Sequence, residues 1–152
     1  MALDILIDEE KVSLATLSIE LERATISHDI PNESSLYVTE QGMFPFWVSL
    51  RASSRFVLLH SYSSFLPDLN HADRFEFCNR LNERLFLPSF HIYQVENDED
   101  EADGEFRLVG NYPLFYRDGL LISQFIRLCR QFSLGMQRIE AEFDPEHVRM
   151  KA

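Results

Sequence analysis

The chain has 152 residues and a formal net charge of −11, with 25 Asp and Glu against 14 Lys and Arg. This length suits one domain with its own core, and an apolar fraction of 45% with 12% aromatic residues is typical of a folded chain. The acidic balance excludes the basic stripe that nucleic-acid binding requires, so we expect no nucleic-acid partner.

The N-terminus and the cysteines indicate a cytoplasmic protein. The first ten residues, MALDILIDEE, have no basic n-region, and Asp4 and Asp8 interrupt their apolar run, so we expect no signal peptide. No stretch approaches the roughly 20 apolar residues that a membrane span needs. Cys78 and Cys129 have no second Cys or His at metal-ligand spacing, so we expect two free thiols in a reducing compartment.

The first part of the chain predicts one helix and three strands. Apolar residues at steps of three and four, from Leu14 to Ala24, predict an amphipathic helix over about residues 10–27, and Pro31 follows it. The segments SLYVTE, FPFWVSL and RFVLLHSYS are dense in β-branched and aromatic residues and are joined by hairpin-length linkers. They predict an antiparallel meander.

The second part predicts two helices and two strands. The segment NHADRFEFCNRLNERLF has helical spacing, with Asn70 as its N-cap and Pro88 after its end. FHIYQVE and EFRLVGNYPLFY predict strands, a third helix is predicted over about residues 119–142, and residues 144–152 are expected to be a flexible tail. The sequence therefore predicts an α+β fold, a single antiparallel sheet of about five strands with three helices in the order α-β-β-β-α-β-β-α. We expect a single domain over residues 1–152, with its core at about residues 10–143.

An acidic run lies between the last two predicted strands. Seven acids occur within ten residues without a base: Glu96, Asp98, Glu99, Asp100, Glu101, Asp103 and Glu105. If Gly104 took the sixth position of an EF-hand loop, the twelfth would be Gly110, where calcium needs a bidentate Glu. Like charges repel and the flanks alternate as strands, so we predict a solvated hairpin tip that binds no metal and discourages edge-to-edge association.

The remaining residues contain no recognisable catalytic motif. The five histidines, His28, His60, His71, His91 and His147, fall on different predicted elements or loops, without metal-site spacing. The serines near His60 lack a Gly-x-Ser-x-Gly elbow, and the five glycines form no phosphate-binding loop. The sequence therefore predicts no catalytic residue, no metal site and no cofactor.

Several predicted strands are apolar on both faces, which a sheet covered on one side should not be. Phe46 and Val48 share a face that helices can cover, and a second apolar face is assigned to Trp47, Val57, Leu59, Tyr93, Val95, Val109 and Phe115. This second face either binds a partner or a second copy of the chain, or is covered by loops or the first helix. We predict a homodimer that buries part of it and leaves the rest for an unknown protein partner.

Two stretches carry a family resemblance. EQGMFPFWVSLR, and FCNRLNERLFLPSFHIY leading through an acidic turn into FRLVGNYPLFYRDGLLISQFIRLCRQF, resemble the YbjN family over about residues 14–143, including an Asn in the second helix, here Asn79 or Asn82. That family is described as proposed bacterial sensory transduction regulators, with a fold similar to that of type III secretion chaperones, which are acidic cytoplasmic homodimers. The resemblance implies a non-enzymatic protein-binding module, chaperone-like or regulatory. The alternative is a small-molecule sensor or enzyme with a pocket between sheet and helices, involving His60 and His91.

Overall fold

The computed structural model describes residues 4–96 and 104–151. The helices are α1 (Leu14–Arg23), α2 (His71–Arg84) and α3 (Ile122–Arg138). The strands are β1 (Leu6–Ile7), β2 (His28–Asp29), β3 (Ser35–Val38), β4 (Phe46–Arg51), β5 (Phe56–Ser64), β6 (Ser89–Gln94), β7 (Phe106–Phe115) and β8 (Leu120–Leu121). No helix in this part of the chain is long and apolar enough to cross a membrane.

The α+β class, the three helices and the antiparallel pairing are confirmed, but the single sheet of about five strands is wrong. The main sheet has six strands in the order β2-β3-β4-β5-β7-β6, and β1 pairs with β8 in a separate two-stranded sheet. The three unpredicted strands, β1, β2 and β8, have two residues each, which is too short to show an alternating pattern. The meander of β3, β4 and β5 is as predicted.

Helix α1 starts at a capping box and ends earlier than the sequence predicts. The Ser13 side chain accepts a hydrogen bond from the Thr16 N–H at 3.1 Å, and Thr16 Oγ1 accepts one from the Ser13 N–H at 2.9 Å. Thr25 has a φ of 58°, a left-handed conformation that a helix cannot continue through. The buried residues of α1, Leu17 and Leu21, are part of the core between the helices and the main sheet.

Helices α1 and α3 pack on the same face of the main sheet. Ser18 Oγ of α1 lies 2.6 Å from Nε2 of His28 in β2, and the Phe132 ring of α3 lies 5.3 Å from the Phe46 ring of β4. The strand register places His28 opposite Val38 and Val38 opposite Phe46, so these side chains point to one side. The core therefore lies between this face and the helices.

Helix α2 covers the β6 end of the same face. Its Phe77 ring meets the ring of buried Phe65 edge-on at 6.4 Å. At its C-terminal end, the Asn82 amide donates to the Phe90 carbonyl at 2.9 Å and accepts from the Phe90 N–H at 2.7 Å. Since β6 is an edge strand, Asn82 supplies the backbone hydrogen bonds that a neighbouring strand would otherwise make.

The described part of the expected flexible tail packs against the body of the protein. Asp144 is buried, and its carboxylate accepts hydrogen bonds from the N–H groups of Val148, Arg149 and Met150 at 2.9–3.2 Å. Met150 is fully buried and forms a β-bridge with Phe65 at the end of β5. A buried carboxylate that caps three amides orders a segment whose composition alone suggests a frayed end.

Candidate functional site

The face of the main sheet that points away from the three helices is the candidate functional site. We call it the open face and define it by side chains at alternate positions of β3 to β7: Tyr37, Trp47, Ser49, Phe56, Leu58, His60, Tyr62, His91, Tyr93, Arg107, Val109, Asn111 and Phe115. Most of these side chains are half-buried or exposed. The open face combines aromatic surface with polar groups.

Strand register gathers aromatic rings at the centre of the open face. Trp47 lies opposite Tyr37 on one side and His60 on the other. Its ring centroid lies 4.6 Å from that of Tyr37, 5.7 Å from His60 and 5.9 Å from Tyr62, the last two being stacked. These four residues form a rigid platform, which we call the aromatic row, because neighbouring rings restrict one another.

The aromatic row continues into a charged cluster on β7. The Arg107 guanidinium lies 4.0 Å from the Tyr62 ring centroid and 3.2 Å from a Glu105 oxygen. The Ser64 hydroxyl donates to Glu105 Oε1 at 2.6 Å, and Lys151 Nζ lies 3.6 Å from the same oxygen. These contacts, the Ser64 hydrogen bond first, lower the pKa of Glu105 although partial burial opposes them. Glu105 is therefore held ionised at neutral pH.

His60 is a half-buried member of the aromatic row. Its Nε2 lies 3.0 Å from Ser49 Oγ, and its ring stacks on Trp47. Burial, and then the positive charge of Arg51, lower the pKa of His60 below its ordinary value. The imidazole is therefore neutral at neutral pH and serves as a flat packing surface.

The two ends of the open face expose apolar side chains. At one end Phe115 is 64% exposed and its ring lies 5.5 Å from that of Phe56. At the other end Tyr93 is 48% exposed, on the edge strand. Because both ends carry large apolar side chains, covering this surface with another molecule removes apolar area from water, which is favourable in free energy.

The structure corrects part of the predicted second face. Trp47, Tyr93, Val109 and Phe115 lie on the open face, and half-buried Val95 follows the same alternation just after β6. Val57 and Leu59 instead lie fully buried in the core, because the register sets Leu59 opposite Val48 and Val57 opposite Leu50. Since β5 is apolar on both faces, alternation alone could not show which face meets the helices.

Sequence reasoning missed several members of the open face, and Tyr37, Tyr62 and Arg107 are the ones that make contacts within the aromatic row or with it. Tyr37 and Tyr62 each carried a signal, since Tyr37 falls between the buried positions Leu36 and Val38, and Tyr62 stands two residues after His60. Arg107 had none, because its contact with Tyr62 depends on the pairing of β5 with β7, which are far apart in sequence.

The alternative hypothesis expects His60 and His91 to line a pocket between the sheet and the helices. They do not. Both lie on the open face, on the side away from the helices. His91 is exposed and its Nδ1 lies 3.2 Å from Asn111 Nδ2, whereas His60 contacts Ser49 and Trp47. These partners differ, so the two imidazoles do not form one catalytic unit.

The structure describes only the flanks of the acidic run. Strands β6 and β7 pair as the two antiparallel arms of a hairpin, as predicted, and the Val95 N–H donates to the Glu105 carbonyl at 2.8 Å. The predicted solvated tip at residues 97–103 lies outside the described residues, and the absence of a metal there stays a prediction. Among residues 4–96 and 104–151, no three His, Cys, Asp or Glu side chains could hold a metal ion together.

Both cysteines lie unpaired in the interior. Burial raises the pKa of the Cys78 and Cys129 thiols. A raised pKa lowers the thiolate fraction, so both groups are poor nucleophiles and poor metal ligands at neutral pH.

Comparison with known proteins gives a family match and two related folds. The YbjN family model, described as "Putative bacterial sensory transduction regulator", matches residues 13–145. No curated protein matches the sequence. The crystal structure of "YbjN, a putative transcription regulator from E. coli" aligns with a TM-score of 0.69 at 17% identity, covering 93% of this chain and 97% of that chain. A structure of an uncharacterized protein from Methanothermobacter thermautotrophicus aligns with a TM-score of 0.60 at 12% identity, covering 90% and 99%. At these identities the two structures show a shared fold.

Proposed function

The chain belongs to the YbjN family, and we propose on this basis that it is a non-enzymatic regulatory protein that binds another protein through its open face. The family description supports a regulatory role. The observation that carries the binding role is the aromatic row, which presents Trp47 and its neighbours on the side of the sheet opposite the helices. A cytoplasmic location is part of the proposal and is supported by the two unpaired buried thiols.

The chemistry of the open face favours a protein as the occupant. Trp, Tyr and Arg are the residues that most often dominate binding energy in protein interfaces. Trp47 and Tyr62 are already held by stacking, so little side-chain freedom would be lost when a partner binds. Rings on an open sheet can also stack on RNA bases, but a net charge of −11 opposes a polyphosphate and Arg107 is paired with Glu105.

We propose that different parts of the open face serve a homodimer and the partner. The end formed by Phe56 and Phe115 is apolar, and Phe115 is its most exposed residue, which suits contact with a second copy across a two-fold axis. The aromatic row carries hydroxyl, indole and imidazole groups, which suits a partner segment with polar and apolar side chains. The chaperone-like alternative would hold that segment in an extended form.

Separate substitutions test the two parts. We expect Phe115→Asp to convert a dimer to a monomer in size-exclusion light scattering, because a carboxylate cannot be buried unpaired in an apolar interface. We expect Trp47→Arg to leave the mass unchanged and to abolish recovery of the partner when the tagged protein is purified from its native host. Leu134→Asp is the matched control, since Leu134 is 58% exposed on the helical side.

Two results would overturn the proposal. A monomeric wild-type mass at tens of micromolar would refute the dimer. Partner recovery by Trp47→Arg equal to that by Leu134→Asp would refute the binding role of the aromatic row.

A further inference from the structure

A cleft of about 580 Å³ lies at the end of the main sheet where α2 begins. It is bounded by the first turn of α2, the loop over residues 65–69, the start of β7 and Lys151 near the C-terminus. Phe65, Leu66 and Phe106 form apolar walls. This volume lies within the range of clefts that hold small molecules.

The cleft contains a buried cation without a carboxylate partner. Arg74 is 6% exposed, and its guanidinium lies 3.9 Å from the Phe106 ring centroid. Its Nη1 lies 3.2 Å from His71 Nδ1, and its Nε has no hydrogen-bond partner among the described residues. No carboxylate in residues 4–96 or 104–151 forms an ion pair with it. A buried charge left in this way favours an anion that completes its hydrogen bonds.

Two further features make the cleft attractive to an anion. Helix α2 has 14 residues and begins at the cleft, with Asn70 as N-cap, so the positive end of its dipole adds to the charge of Arg74. Lys151 lies at the rim and is shared with Glu105. Counting Arg74 and Lys151 against Glu105, the lining has a formal charge of +1 in a chain of −11.

We propose that this cleft binds the carboxylate of a small organic acid, with the guanidinium of Arg74 on the carboxylate and the hydrocarbon body against Phe65 and Phe106. A guanidinium and a carboxylate match in a two-point hydrogen-bonded pair. A single negative charge balances the lining charge of +1, whereas a phosphate dianion exceeds it, and Glu105 repels the dianion more strongly than a monocarboxylate. The cleft shares Glu105 and Lys151 with the charged cluster next to the aromatic row, but Arg74 belongs to α2 and not to the open face, so substitution of Arg74 tests the cleft by itself.

Binding is measured by amide chemical shifts during titration with phenylacetate, octanoate and phenyl phosphate, with phenylacetamide as the neutral control. We expect saturable shifts in residues 65–74 and 104–108 for the carboxylates and none for the amide. No shift with any carboxylate up to its solubility limit would overturn the proposal. Tighter binding of phenyl phosphate than of phenylacetate would overturn the choice of a monocarboxylate.

Substitution of the cation separates a binding role from a structural one. We expect Arg74→Gln to weaken phenylacetate binding about tenfold or more, the scale of losing one charge-assisted pair. Its melting temperature should not fall, because the substitution removes an unpaired buried charge. Lys151→Gln, at a half-exposed rim position, should fold as the wild type and weaken binding less. Wild-type affinity in both variants would refute the site.

The acidic run supplies carboxylates of its own, and a further variant distinguishes them from an external ligand. In this variant Asp98, Asp100 and Asp103 become Asn, and Glu99 and Glu101 become Gln. We expect its affinity for phenylacetate to equal that of the wild type. If phenylacetate bound only to this variant, the carboxylates of the acidic run would be the groups that pair with Arg74 in the wild type, and the proposal would be overturned.

Discussion

At the scale of single residues, the neighbours of His60 determine how easily its imidazole is protonated. Trp47, Ser49 and Arg51 surround its imidazole on the open face, and burial with the nearby Arg51 charge makes the protonated form unfavourable. In the unfolded chain the same imidazole is solvated and titrates near its ordinary value of 6.5. Protonation of His60 therefore favours unfolding.

This difference predicts a loss of stability in mild acid. Because the folded pKa is lowered, His60 adds no penalty above pH 6.5, and the penalty grows as pH falls below that value towards the folded pKa. We expect the melting temperature of His60→Gln to fall less than that of the wild type between about pH 7 and pH 5. Both proteins share every carboxylate, so the difference between their melting curves isolates His60, and parallel curves would contradict the prediction.

At the scale of elements, one side chain of α2 bonds directly to the backbone of β6. The Asn82 amide makes two hydrogen bonds to the backbone of Phe90, which lies opposite Gly110 in the sheet. A Cβ at Gly110 would lie 2.6 Å from Met136 Sδ of α3, so β6, β7 and α3 are closely packed here. A helical Asn that acts as a strand neighbour therefore connects two layers of the fold.

We expect Asn82→Ala to destabilise the protein by about 1–2 kcal/mol, because Phe90 loses a donor and an acceptor that water replaces only in part. Asn82→Asp should also destabilise it, since a carboxylate cannot donate to the Phe90 carbonyl. Asn79→Ala is the matched control, being exposed on the same helix. Urea denaturation compares the three variants, and equal midpoints for Asn79→Ala and Asn82→Ala would show that the edge contact contributes nothing.

At the scale of the whole molecule, alternation within long segments was sufficient to predict α2, α3 and strands β3 to β7. It could not predict which side of β5 meets the helices. The side of β5 that meets the helices follows from its pairing with β4 across a turn in which Arg55 has a φ of 55°, and this pairing buries Val57 and Leu59. The cleft around Arg74 was also beyond sequence reasoning, because its lining comes from separate segments of the chain.

At the same scale, one edge of the main sheet lies next to the acidic run in the sequence. Strand β6 is an edge of the main sheet. Asn82 hydrogen-bonds to the backbone of β6 at Phe90, and among the described residues no other side chain does so along this strand. Further along β6, the chain continues towards the acidic run, which holds seven of its 25 acids and leaves 18 acids against 14 bases elsewhere. We expect charge that follows an edge strand so closely in the sequence to oppose pairing of that strand with the same edge of another copy.

We therefore expect the neutralised acidic-run variant, with Asn at 98, 100 and 103 and Gln at 99 and 101, to associate beyond the wild-type mass. Light scattering over a concentration series measures this association, and added salt should move the wild type in the same direction because it screens the repulsion. The matched control replaces with Gln five acids that lie exposed elsewhere, Glu10, Glu22, Glu33, Glu83 and Glu146, which changes the net charge equally. If the two variants associate to the same extent, total charge keeps the copies apart and the position of the acidic run beside β6 has no special role. If only the acidic-run variant associates, and Tyr93→Lys on β6 restores the wild-type mass, the β6 edge is the surface that the acidic run protects.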